Sequence, residues 1–414
     1  MSDPTAVARR NTWPLVVGQS VSQFGDYLAL FFALPVFVRD LTGSATQLGL
    51  LAMFETAAVL LFGFIAGVLV DRVRVRRALV IADLLRAVAF GLLALAVAAG
   101  AGTVWMAFAV AFLVGSMATV FDTGLESYVP TVLTDDLLVV ANSRLQVGRN
   151  LAQTLGFVVG GAVLAWGGGI ATAFAFQAVT YLVSVAGILM LREIRPRPLA
   201  RREAVWPALR HGIVTLWQSA PLRWATLSAF AINLAFAPLA AVMVLYAQDE
   251  LGIVTDLSLG MLFAGFAAIG ALGVSLAPRL VAAIGLGRSV VAGGVLFGLG
   301  AMGAGFSDGA MTVLPFGLAM AGVSINQVAF VTLRQRLAPP DRLGRVVAAS
   351  RTISFAGIPI GAALGGVLGE AIGLRPLFVG GGAVIAVAAA LLIFGPLWRV
   401  RADAAAYELS ASTR

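Results

Sequence analysis

Twelve apolar runs of 19 to 26 residues fill most of this 414-residue chain, at 14–38, 46–70, 78–99, 103–127, 143–166, 169–191, 222–247, 257–281, 288–306, 309–333, 346–369 and 374–397. A helix needs about 20 apolar residues to cross a bilayer core ~30 Å thick. Lipid offers backbone amides no partner, so each run must be a helix or a strand of a closed barrel. Barrel strands need only ~10 residues and alternate in polarity. These runs are twice as long and do not alternate. The fold class is therefore an all-α membrane protein with twelve transmembrane helices. Only 12% of the residues are charged, about half the share of a soluble protein, so there is no room for a large soluble domain. The first run has no small-residue cleavage site after it, and it is expected to remain as a span.

Arginine placement orients the spans. All 28 basic residues are arginine, and with the N-terminus inside most loop arginines fall on one side. That side holds Arg72, Arg74, Arg76 and Arg77, a second group from Arg192 to Arg210, and Arg279, Arg288, Arg334, Arg336, Arg342 and Arg345. The opposite side holds Arg39 and Arg375 among the acids Asp40, Asp249, Glu250, Asp256, Asp308 and Glu370. Both termini are thus expected to be cytoplasmic, in the cell (inner) membrane. The net charge of +8 reports orientation and not a nucleic-acid partner.

The longest connection divides the spans six and six. The expected domains are an N-terminal six-helix bundle over 1–191, a cytoplasmic linker over 192–221 and a C-terminal six-helix bundle over 222–414. In the linker, Pro196 and Pro198 favour an extended start. Val205, Leu209, Val214, Leu216 and Trp217 then give an amphipathic segment for the inner surface. The two halves share a pattern. Arg144, Gly156 and Gly160 recur as Arg345, Gly357 and Gly361, and Pro14-Leu15 recurs as Pro221-Leu222. Repeated halves around a midplane site are a common transporter construction.

With no cysteine, disulfides, thiolate nucleophiles and Cys-ligated metals are excluded. The one histidine, His211, falls in the linker, so no histidine relay crosses the membrane. No cofactor or metal is expected. Gly-rich stretches such as "GAALGGVLG" lack the Gly-Lys-Ser/Thr of a phosphate loop and read as close helix packing. Without an ATPase motif, energy must come from a gradient or a partner chain.

The stretch "GVLVDRVRVRRALV" concentrates charge between spans 2 and 3. Its arginines cannot enter hydrocarbon and hold the loop inside, near anionic head groups. Asp71, at a helix end, can accept bonds from helix N-terminal amides, and Gly67 permits close helix approach. The stretch resembles the signature loop of the major facilitator superfamily, with Gly67, Leu69, Asp71, Arg72 and Arg76 fitting the pattern and Arg74 replacing its turn glycine. "LVVGQSVSQFGDYLALFFALPVFV", "LAPPDRLGRVVAASRTIS" and "YVPTVLTDDLLVVANSRLQVGRNLAQTLG" are similar to the branch of enterobactin exporters and macrolide efflux proteins. Two departures stand out. The antiporter signature Gly-Pro-x-x-Gly-Gly lacks its proline in "GFVVGG", while Pro359 in span 11 stands where the repeat would put Val158, and span 4 lacks the arginine of many drug–proton antiporters. The resemblance implies two pseudo-symmetric bundles and a secondary active transporter, not an enzyme. It would export an amphipathic small molecule (drug, siderophore or secondary metabolite) by proton-coupled alternating access, with Gly67, Asp71, Arg72 and Arg76 as gating residues. The alternative on the same fold is an importer or facilitator of a small nutrient or lipid. The expected partners are that solute, protons and the bilayer, for a monomer.

Ionisable groups inside spans are costly and mark function. Asp26 lies 12 residues into span 1, or roughly 18 Å deep, and Glu55 nine residues into span 2, or roughly 14 Å. In a core ~30 Å thick these depths nearly coincide. The two carboxyls are expected to share a cavity where one exchanges a proton, or Asp26 instead makes a structural bond between helices. Gln19 and Gln23 add polar groups nearby, and Asn233 in span 7 stands where the repeat places Asp26. Asp83, Arg86, Asp122, Glu126, Arg149 and Arg351 are expected nearer the cytoplasmic ends, as salt bridges that form and break with gating. Asp83 and Arg86 have the i, i+3 spacing of a surface pair. Asn326 and Gln327 correspond to Asp122.

The arginine asymmetry generates a first prediction. A reporter fused at residue 204 or after Arg414 will read as cytoplasmic, and one at Thr255 as external. A cytoplasmic signal at Thr255 would break the twelve-span topology.

Overall fold

A computed structural model describes residues 4–72, 74–167, 169–194, 205–338 and 343–400. Every regular element among them is helical. The first rod is α1 (Pro4–Gly25), a π-helical stretch (Asp26–Ala33) and α2 (Leu34–Thr42), without a break. Long helices follow: α3 (Ala45–Arg72), α4 (Val75–Ala98), α5 (Val104–Val132), α6 (Asp135–Ala165) and α7 (Gly169–Met190). After the linker helix α8 (Val205–Gln218) come α9 (Ala220–Asp249), α10 (Asp256–Ile284), α11 (Leu286–Gly305) and α12 (Val313–Leu337). The chain ends with α13 (Leu343–Phe355), α14 (Gly357–Ile372) and α15 (Leu374–Leu391). The fold is all-α and membrane-spanning, and eleven described rods are long and apolar enough to cross a bilayer. α6 has the length, 31 residues, but Asp135, Asp136, Arg144 and Arg149 keep its first half polar.

Turn chemistry ends these rods where the apolar runs end. Gly43 closes the first rod in the left-handed region (φ 59°) and returns its N–H to the Arg39 carbonyl at 2.7 Å. Only glycine adopts that conformation cheaply. Thr103 opens α5, its hydroxyl accepting from the Met106 amide at 3.4 Å.

The chain forms two compact units, Met1–Arg202 with Val254–Ala264, and Glu203–Ile253 with Gly265–Arg414. In the first, glycines on α6 lie against the first rod. A Cβ on Gly156 would stand 2.7 Å from the Tyr27 Cβ and 2.9 Å from the Phe24 carbonyl, and one on Gly160 3.2 Å from the Leu28 carbonyl. The second unit repeats the contact 201 residues later. A Cβ on Gly357 would stand 2.6 Å from the Phe230 carbonyl, and one on Gly361 3.0 Å from Pro238 Cδ. Lipid tails are as apolar as leucine, so such backbone approach replaces the hydrophobic drive between helices.

Where the amphipathic segment was expected, α8 is helical but packed. Leu216 is buried with Leu222, Ala225 and Val346, and Gly212 lies on the Arg345 backbone. Ile213, Val214 and Trp217 stay exposed on its other side. Glycine packing carries a testable cost. Gly156→Val or Gly357→Val will destabilise the protein by about 1–3 kcal/mol through overpacking. The readout is the thermal unfolding midpoint in neutral detergent. Gly380→Ala, where a Cβ meets nothing within 4 Å, will leave that midpoint unchanged or higher.

Candidate functional site

Asp26 begins the π-helical stretch, 20 residues after the start and 16 before the end of the Ala6–Thr42 rod. Its Oδ1 accepts from Gln177 Nε2 and from the Tyr181 hydroxyl, both at 2.6 Å. Both partners come from α7. Gln177 is oriented in turn, because its Oε1 accepts from the Thr180 hydroxyl at 2.9 Å. Gly25 makes this approach possible, since any Cβ there would collide with Gln177 and Thr180.

The cation of the site is Arg86 on α4. Its Nη1 donates to Asp83 Oδ1 at 2.8 Å and its Nη2 lies 3.7 Å from Asp26 Oδ2. The guanidinium also covers the Tyr181 ring, 4.3 Å from the centroid, with Phe121 at 5.5 Å. Tyr181 therefore holds both charges, the cation on its face and the carboxylate at its hydroxyl. Arg86 Nε and Asp83 Oδ2 remain buried without hydrogen-bond partners, so the pair is held by one of its available contacts only. Asp122 is an electrostatic neighbour of both Asp26 and Arg86, and Glu55 of Asp26. Three carboxyls thus stand in the field of one guanidinium, and Glu55 stands in the field of Asp26.

The expected residues fall out as follows. Asp26 and Glu55 interact, but the direct partners of Asp26 are on α4 and α7. Asp83 and Arg86 are not a surface pair: Asp83 is 0% and Arg86 5% exposed. Nor is Arg86 near a cytoplasmic end, for it is the twelfth of 24 residues in α4. The same i, i+3 spacing serves a buried pair equally well, and the span starts at Val75, not at residue 78. Gln23 accepts from Arg149 Nε at 3.3 Å. Arg149 makes no ion pair with any described residue in this conformation. In the second unit, Asn233 donates to the Ser354 carbonyl at 2.9 Å, Asn326 to the Val290 carbonyl at 2.8 Å, and Arg351 covers Phe355. Arg76 donates to the Leu189 carbonyl. The expectations for the side chains of Gly67, Asp71 and Arg72 lie outside the described residues.

Sequence reading missed Gln177, Thr180, Tyr181 and Ser184. Neutral polar groups scarcely mark an apolar run, yet these four have i, i+3, i+4, i+7 spacing, one face of a helix. Gln19 extends that face, donating to the Ser184 hydroxyl at 3.0 Å. Aromatic rings adjoin the first rod: Phe157 lies 5.6 Å from Tyr27 and 6.4 Å from Phe32, and Phe263 5.2 Å from Phe157.

The family model of the Major Facilitator Superfamily matches residues 15–362. No curated protein matches the chain by sequence. Among solved structures, the nucleoside transporter NupG is similar at 12% identity, with 94% of this chain and 100% of that one covered and a TM-score of 0.72. A bacterial homolog of the human lysosomal transporter Spinster, inward-facing and occupied, is similar at 16% identity, with 95% and 97% covered and a TM-score of 0.73. A bacterial homologue of the iron transporter ferroportin, inward-facing, is similar at 18%, with 92% and 98% covered and a TM-score of 0.70. At these identities the likeness is one of fold.

The buried pair predicts an asymmetry between single and double substitutions. Arg86→Met leaves Asp83 buried and unpaired, at a cost of about 3–5 kcal/mol, and Asp83→Leu with Arg86→Met recovers most of it. Thermal unfolding of the purified variants measures both. Equal stability of the single and double variants would mean the pair is not coupled.

Proposed function

This chain belongs to the Major Facilitator Superfamily, and from that premise we propose that it is a secondary active transporter. It exports an amphipathic small molecule (a drug, siderophore or secondary metabolite) by proton-coupled alternating access, within the enterobactin-exporter and macrolide-efflux branch. The observation that carries the reading is a surplus of carboxyls: Asp26, Asp83 and Asp122 stand in the field of the Arg86 guanidinium, and Glu55 adds a further one in the field of Asp26. A site of low dielectric does not hold that excess negative charge unaided. Protons supply the missing positive charge, and the site loses or gains them as access alternates. The partly exposed rings of Tyr27 and Phe263, which both pack on the buried Phe157, suit an apolar body on the solute.

In this reading Asp26 and Glu55 exchange the proton, Gln23 and Asn233 offer hydrogen bonds to the solute, and Asp83, Arg86 and Asp122 hold the inward–outward balance. Gly67, Asp71, Arg72 and Arg76 form the cytoplasmic latch. Both termini are cytoplasmic, in the cell membrane, and the protein works as a monomer. The energetics suffice: one charge crossing 100 mV supplies ~2.3 kcal/mol, against ~1.4 kcal/mol for a tenfold solute gradient.

Transport into vesicles with an imposed pH gradient, over a panel of amphipathic compounds, tests the reading. Glu55→Gln and Asp26→Asn will each lose uphill transport, by at least tenfold, while downhill exchange persists. If both variants keep full uphill transport with an unchanged pH profile, neither carboxyl carries the coupling.

A further inference from the structure

Arg149 is the fifteenth of 31 residues in α6, where the polar first half of that helix gives way to its apolar second half, and its neighbour Gly148 packs on Ser20 of the first rod. An arginine beside an apolar span is stable there only where it reaches water or a counter-charge. The described residues of the first unit offer it neither a salt bridge nor burial. Among the described residues its hydrogen bond is to the neutral amide of Gln23, at 3.3 Å. It is exposed, and no described carboxylate comes within 4.0 Å. Arg86, by contrast, is enclosed by acids on the same unit.

The surroundings of Arg149 say which way it faces. Val147, Leu151 and Leu155 are exposed apolar residues along one strip of α6, the strip suited to lipid. Gln146, Arg149, Asn150 and Gln153 have i, i+3, i+4, i+7 spacing on another strip. At 100° per residue, Arg149 is roughly 160° around the helix from Val147. Gln146 donates to Asn150 along this strip at 3.2 Å, and Tyr27 is an electrostatic neighbour of Arg149. The polar strip therefore points away from lipid, toward the first rod, with a full positive charge and no carboxylate among the described residues within 4.0 Å of it.

We propose that Arg149 is the docking cation for an anionic group, a carboxylate or phosphate, on the amphipathic solute. Guanidinium pairs with both groups through two parallel N–H donors. Gln23 holds the guanidinium by its Nε, which leaves the Nη edge for the ligand. The apolar body then lies against the partly exposed ring of Tyr27, which the buried Phe157 ring backs at 5.6 Å. This rests on the transporter reading above and narrows its substrate to amphipathic anions or zwitterions.

The absence of native cysteine gives a direct test that needs neither transport nor a gradient. Gln153→Cys places one thiol a helical turn from Arg149, and its alkylation by N-ethylmaleimide is followed in neutral detergent. Dodecanoate and dodecyl phosphate will slow labelling at least fivefold, whereas dodecanol and dodecyltrimethylammonium will not. Adding Arg149→Gln will abolish the protection and adding Arg149→Lys will keep part of it. Gln146→Cys serves as a second reporter should the first fail to fold. Equal protection by the neutral or cationic amphiphile, protection that survives Arg149→Gln, or no protection by either anion would each overturn the proposal. Protection by phosphatidylglycerol alone would overturn it too, by making the occupant a membrane lipid. Protection without any transport in the vesicle assay would instead count against the transporter reading.

Discussion

A guanidinium held at the middle of a membrane-spanning helix sets the terms for the first unit. Arg86 cannot be left bare in hydrocarbon, and around it three helices converge. Asp83 meets it from its own helix, Asp26 from the first rod, and Tyr181 from α7 by both ring and hydroxyl. Each partner has a second obligation. Tyr181 must reach Asp26, Gln177 must be turned by Thr180, and Gly25 must lack a side chain for that to happen. The network thus fixes side-chain chemistry on α1, α4 and α7 at one depth.

Glycine does for the helices what charge does for the site. Without a hydrophobic drive between apolar helices, contact comes from bringing backbones together. The same pair of glycines, four residues apart, does this on α6 in the first unit and on α14 in the second. The polar chemistry is not repeated with it. The first unit has an acid, a tyrosine and a buried arginine where the second has Asn233 bonded to a main-chain carbonyl. The halves share their packing and differ in their charges.

That difference explains how much could be read from the chain alone. The spans and the glycine repeat were legible because apolar run length and small-residue spacing are direct requirements of the bilayer. Asp26 and Glu55 were legible as isolated acids in such runs. The partners of Asp26 were not, because Gln177 and Tyr181 barely lower the apolar character of a span, and which helix faces which is a tertiary fact. Arg86 was recognised but placed too near the surface, since span limits carry an error of several residues and one turn is 5.4 Å. Arg149 was expected to pair with an acid, and only the arrangement of α6 against the first rod shows that its neighbour is Gln23.

The π-helical stretch of the first rod has a consequence of its own. Its wider turns, with the Leu34 amide bonded back to the Ala29 carbonyl, accommodate residues that an ordinary helix of the same rise would have to shed. The outer portion of the rod is thereby rotated relative to the inner portion. Within the stretch Phe32 is sealed inside while its neighbour Phe31 looks outward. Should they tighten, the slack would pass along the rod like a ruck in a carpet, turning its far end by up to roughly 100° for each residue taken up. Asp26, with its tyrosine and glutamine, sits at the origin of that rotation.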